Sequence, residues 1–200
     1  MNKQISLLIE KIRLLEEDLE LEFAKRRAEL SFSIHNRKVI FEQEVSRRHK
    51  QFKIKVSTYI LQAKVKVIAT APLIYALIVP FLLLDLMVSL YQWVCFPVYG
   101  IAKVNRASYF VYDRHHLAYL NVIEKLNCAY CSYGTGLIAY VREIAARTEQ
   151  YWYPIKHAQR MKSSHAHYSH FLDYGDAENY RTYLKTVQRG IKSKESTRNK

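Results

Sequence analysis

Residues 67–102 read VIATAPLIYALIVPFLLLDLMVSLYQWVCFPVYGIA, and Asp85 is the one charged side chain among these 36. Val67–Leu84 supplies 18 uncharged positions and Leu86–Ala102 another 17. A helix crossing a bilayer needs about 20 predominantly apolar residues, so the stretch predicts a membrane-embedded helical segment over residues 65–103. As one straight helix it would reach about 54 Å, too long for a hydrocarbon core of about 30 Å. Two arrangements absorb the excess: a single kinked span over residues 73–96 followed by an interfacial piece, or a bent hairpin with both ends on one face. Pro72, Pro80 and Pro97 offer the kinks, since each removes a backbone donor. Tyr91, Trp93 and Tyr99 suit the headgroup level. Asp85 is then either a functional intramembrane carboxylate or the mark of a turn or interface.

The charge lies on either side of this stretch. Residues 1–66 hold 15 basic and 9 acidic side chains, residues 103–200 hold 16 and 8, and the whole chain carries +13. Basic flanks around an apolar segment point to an anionic lipid surface, where each juxtamembrane Lys or Arg contributes about 1 kcal/mol. Nucleic acid is the weaker reading, because no recognised nucleic-acid motif accompanies the charge. Residues 46–66 contain seven basic side chains and no acid, which by the positive-inside rule places the N-terminal helix in the cytoplasm. Lys103, Arg106 and Arg114 bias the C-terminal domain to the same side. Met1–Glu22 alternates charged and apolar residues with no continuous apolar core, so no cleavable signal is expected and the internal segment must direct targeting.

Upstream, residues 1–64 read as one long amphipathic helix. Ile5, Leu8, Ile12, Leu15 and Leu19 step by three and four, the a/d spacing of a coiled coil, and the seam continues less regularly through Phe23, Leu30, Ile34, Phe41, Val45, Phe52, Val56 and Tyr59. With no Gly or Pro before Pro72, the helix is expected to run unbroken for about 90 Å and to join copies of the chain into a homo-oligomer. Downstream, residues 104–190 form a Tyr- and His-rich helical domain. One helix is expected to end near Asn127, and a tight glycine-bearing turn to follow at Cys128-Ala-Tyr-Cys131-Ser-Tyr-Gly-Thr-Gly136. A second helix runs from Leu137 to before Pro154, and a third is capped by Asp176 and stops at Gly190. Residues 191–200 read as a disordered basic tail. The fold expected is all-α, with no strand.

Two thiols at the Cys128-x2-Cys131 spacing can chelate one metal or form a disulfide. His157 is the nearest further ligand, so a zinc site of Cys128, Cys131 and His157 is expected, with His165 or water completing it. His165, His167 and His170 otherwise read as surface residues. Three cysteines are too few for a disulfide framework.

The segments Asn127-Cys-Ala-Tyr-Cys-Ser-Tyr-Gly134, Tyr140-Val-Arg-Glu-Ile-Ala-Ala-Arg-Thr-Glu-Gln-Tyr-Trp-Tyr-Pro-Ile-Lys-His-Ala158 and Phe171-Leu-Asp-Tyr-Gly-Asp-Ala-Glu178 resemble a family of uncharacterised bacterial membrane-associated proteins. The resemblance covers residues 115–183 and implies a bacterial inner-membrane location, with no activity attached. A cysteine often precedes the Pro-Ile-Lys-His segment in that family, where this chain has Tyr153, so a full Cys-Cys-Cys-His set is not implied here.

Enzyme templates find no support: there is no phosphate-binding glycine loop, no HExxH and no nucleophile elbow. The leading expectation is a membrane-anchored scaffold or adaptor whose protein partner the sequence does not name. The alternatives are a thiol-redox or electron-transfer protein using Cys128 and Cys131, and a nucleic-acid-binding membrane protein.

Overall fold

The computed structural model describes residues 3–29, 32–35, 38–41 and 43–198. Their regular elements are helices apart from one short hairpin, and they divide into two compact units, residues 1–69 with 112–130 and residues 70–111 with 131–200.

In the first unit the expected 90 Å helix is broken. Helix α1 covers Lys3–Glu29. Strands β1 (Phe32–His35) and β2 (Lys38–Phe41) then pair antiparallel, Phe32 opposite Phe41 and His35 opposite Lys38. Alternation in Phe-Ser-Ile-His and Lys-Val-Ile-Phe, rich in aromatic and β-branched residues, favours a strand. The heptad reading had absorbed the same Ile34 and Phe41 into its seam, and Leu30 of that seam lies outside the described residues. Helices α2 (Gln43–Gln51) and α3 (Val56–Gln62) follow, separated without Gly or Pro. Arg47, Lys50 and Lys53 stand three apart, and like charges at that spacing oppose continuation of a helix. His49 meets Tyr119 edge-on at 5.5 Å, so residues from both sides of the apolar stretch pack within this one unit.

The apolar stretch forms α4 (Val65–Ala76) and α5 (Ile78–Tyr99). Pro80 has no N–H for the Ala76 carbonyl and crowds it, which is why α4 ends there. Leu77 between them keeps helical dihedrals, φ −62° and ψ −14°, so the chain kinks and does not reverse. No turn forms at Asp85. The reversal comes at Gly100, which takes φ 71° and closes α5, while the Ile101 N–H reaches back to the Phe96 carbonyl at 2.8 Å. That six-to-one bond with a left-handed glycine is the Schellman ending.

After Gly100 the chain runs back along α5. Val104 lies at Gln92, and Arg106 lies at Asp85. Helix α6 (Val122–Trp152) then starts on a reciprocal capping box: the Glu124 N–H donates to Asn121 Oδ1 at 3.0 Å and the Asn121 N–H to Glu124 Oε2 at 2.8 Å. α6 is continuous through Cys128, Cys131, Gly134 and Gly136, so the helix expected to end near Asn127 and the tight turn after it are one helix. In the second unit its contacts with α5 advance in the same direction on both helices. Gly134 meets Phe81, Tyr140 meets Gln92 and Tyr151 meets Tyr99, so the two run parallel. Their core is Phe96, Ile101, Val104, Leu137, Tyr140 and Ile144.

The last helix, α7 (Ala177–Arg198), begins after Asp176 as expected, with the Asn179 N–H donating to Asp176 Oδ1 at 3.3 Å. It does not stop at Gly190 but continues to Arg198, which replaces most of the expected tail with helix; residues 199–200 lie outside the described residues.

Candidate functional site

Helix α5 has two unlike faces. Phe81, Leu84, Val88, Tyr91 and Phe96 step by three to five and pack against the core of the second unit. On the other side Leu82, Leu83, Leu86, Leu90, Trp93, Val94 and Val98 are each about half exposed or more. The combined stretch Val65–Tyr99 is long and apolar enough to cross a membrane, and none of its most apolar window is buried within the protein.

The polar side chains of α5 all sit toward the packed side. Asp85 accepts Arg106 Nη2 at 2.5 Å and Nε at 3.3 Å, the Tyr133 hydroxyl at 3.0 Å and the Ser89 hydroxyl at 3.3 Å. Its side chain is 14% exposed, against 48% for Arg106. The Arg106 guanidinium also lies 3.9 Å over the Phe110 ring, a cation–π placement. Asp85 therefore fastens the returning segment to α5 and to α6. Two turns on, buried Gln92 completes the fastening: the Val104 N–H donates to Gln92 Oε1 at 2.6 Å, and Gln92 Nε2 donates to the Tyr140 hydroxyl at 3.0 Å and the Val104 carbonyl at 3.4 Å. The residues expected to make a turn instead permit close approach. A Cβ on Gly136 would stand 2.7 Å from the Tyr109 carbonyl oxygen, and one on Gly134 3.0 Å from the Phe81 ring.

Between α5 and α6, Met87, Tyr91, Ile144, Thr148, Trp152 and Tyr153 line an open apolar groove of about 670 Å³. Beside it the segment after α6 is pinned down. Ile155 and Leu172 form an isolated parallel bridge, with the Lys156 N–H donating to the Leu172 carbonyl at 2.7 Å. His165 Nε2 lies 3.0 Å from Glu149 Oε2, and His167 Nε2 lies 3.3 Å from Glu143 Oε1. Arg147 bonds the same Glu143 oxygen at 2.8 Å and the Ala102 carbonyl at 2.6 Å, while Arg142 donates to the Ser164 carbonyl. Burial pushes the Glu143 carboxyl up, but the hydrogen bonds from Arg147 and His167 outweigh it and hold the group below its ordinary value. His165 and His167, read from sequence as surface residues, are thus partners of α6. Their i, i+2 spacing, facing carboxylates on a helix, was the signal available.

Cys128 and Cys131 stand one helical turn apart on α6 with free thiols, Cys128 half-buried and Cys131 exposed. The His157 N–H donates to the Tyr168 hydroxyl at 2.8 Å, and the two rings stack at 6.3 Å. Among the described residues no group of three or more His, Cys, Asp or Glu side chains is arranged to hold a metal ion, so Cys128, Cys131 and His157 do not form one cluster. Comparison with protein-family models, with curated proteins and with solved structures returned no match.

Proposed function

We propose that the protein is a membrane-anchored scaffold or adaptor, embedded from one face of the bilayer by the exposed apolar side of α4 and α5. The observation that carries this reading is the two-faced character of α5: one side is used by the fold, and the other presents Leu82, Leu83, Leu86, Leu90, Trp93, Val94 and Val98 outward. Exposed apolar patches beyond a few hundred Å² mark membrane or partner surfaces, and a one-sided apolar helix lies in the interface with that side buried. Entry from one face is favoured over crossing by two features. His49 and Tyr119, on either side of the stretch, belong to one packed unit. Lys103, Asn105 and Arg106 are exposed on the segment that runs back along α5 as far as Asp85, and irregular polar backbone does not occur exposed to hydrocarbon. Exposed Lys53, Lys55, Lys64 and Lys66 supply the attraction to anionic lipid. The resemblance to bacterial membrane-associated proteins supports an inner-membrane location, and the seven basic side chains of residues 46–66 support a cytoplasmic N-terminal helix.

Leu83→Lys with Leu90→Lys tests the reading on two side chains that the fold does not use, exposed at 58% and 50%. The variant should keep its helical circular dichroism but leave the carbonate-washed membrane pellet and no longer float with vesicles containing anionic lipid. A folded variant that still pellets and floats sinks the proposal.

A further inference from the structure

We infer that α1 pairs with α1 of a second copy as a parallel, in-register two-stranded coiled coil. This rests on the one-face anchoring proposed above. Leu8, Ile12, Leu15 and Leu19 are exposed at 61%, 57%, 59% and 53%, so none of the described residues covers the seam they form. With Ile5 and Ile12 at a and Leu8 and Leu15 at d, the seam has the composition that favours two parallel strands, β-branched at a and Leu at d. Charge fits the same register. In a parallel pair each g side chain faces the e side chain five residues later in the partner. That sets Lys11 against Glu16 of the other copy twice over, and the remaining pairs, Gln4 with Ile9 and Asp18 with Phe23, contain no like charges. A second exposed row, Leu7, Leu14 and Leu21, recurs only every seventh residue and is flanked by Lys11, Asp18 and Lys25, so it does not supply alternating layers of knobs and holes.

The seam ends early, because the next positions are Glu22 at d and Arg26 at a. A pairing of about two heptads is marginal between free molecules. Copies held on one face of one membrane meet at raised effective concentration with their N-terminal helices on the same side, so the coil forms between anchored chains.

The test uses the full chain in membranes, with Cys95, Cys128 and Cys131 changed to Ser and Leu8→Cys as the single thiol. Mild oxidation of the carbonate-washed pellet should give a disulfide-linked dimer, because d positions of a parallel pair face each other. Lys11→Glu should lower the cross-linked fraction about five- to tenfold, since two attractive pairs become repulsive, and Lys11→Glu with Glu16→Lys should restore it. Pelleted protein without the Leu8 cross-link, or cross-linked only when Leu8→Cys chains are mixed with Leu15→Cys or Leu19→Cys chains, overturns the parallel coil and leaves the anchoring intact. Chains released into the carbonate supernatant overturn the anchoring instead. Indifference of the cross-link to the charge swap overturns the register.

Discussion

Gly136 sets two residue-level effects against each other. Alanine is the better helix former by about 0.5–1 kcal/mol, and α6 is helical at this point, so propensity alone favours Gly136→Ala. The added Cβ would stand 2.7 Å from the Tyr109 carbonyl, a backbone atom of the returning segment that cannot swing aside as a side chain can. Overpacking of that kind costs about 1–3 kcal/mol, so clash should win and chemical denaturation should give a lower midpoint. Gly134→Ala meets only the Phe81 ring, at 3.0 Å, and should cost less. A rise in midpoint for Gly136→Ala would show that the segment does not approach α6 so closely. The two glycines were visible in the sequence, but a glycine pair signals a turn and a close helix contact equally well, and only the partner strand of chain decides. Asp85, Ser89 and Gln92 were more informative than they first looked. Their spacing of four and three puts them on one side of an otherwise apolar helix, which marks the side that faces protein.

Among elements, the ones legible from sequence were those with local punctuation. Asp176 caps α7, Pro154 follows the end of α6, and Asn121-x-x-Glu124 is a capping signature that the reading of a separate helix ending near Asn127 passed over. What failed was continuity. The first 64 residues have an apolar residue every three or four positions almost throughout, and that pattern hid a hairpin whose alternation is only four residues per strand. The segment 153–172 could not be read at all, because its placement depends on His165 and His167 finding Glu149 and Glu143 on α6. Its attachment should depend on acid. Glu143 titrates lower in the folded protein than its ordinary 4.5, so its contribution is present above that pH and is lost as pH falls through the depressed value. The hydrogen-exchange protection factors of residues 160–172 should therefore fall below pH 4.5, and Glu143→Gln should already lower them at neutral pH. Equal protection across that range would mean that the Glu143 bonds do not hold the segment.

At the scale of the whole molecule, the anchoring proposal makes a topological prediction. If the apolar stretch enters from one face, the N-terminal helix and α7 lie on the same side of the membrane. With the native cysteines replaced, Gln4→Cys and Ser193→Cys should both resist an impermeant thiol reagent in intact spheroplasts and react after lysis. Labelling of Ser193→Cys alone in intact spheroplasts would mean that the chain crosses. Composition and charge pattern made a long apolar helix between basic flanks legible from the start. Where the chain turns back was not. The turn lies at Gly100, fifteen residues beyond the aspartate that had suggested it.

The parallel course of α5 and α6 also orders events during synthesis. Gln92 can bond Val104 as soon as the chain turns back, but it must wait for Tyr140, 48 residues further on, before it is tied to α6. At about 5–20 residues per second the ribosome takes about 2–10 s to deliver that partner. For that interval the side of α5 later taken up by α6 is uncovered together with its apolar side near the ribosome exit. If the anchoring proposal holds, a targeting factor or the bilayer itself meets the helix before its own domain does, and the order of residues along the chain gives membrane capture a head start over folding.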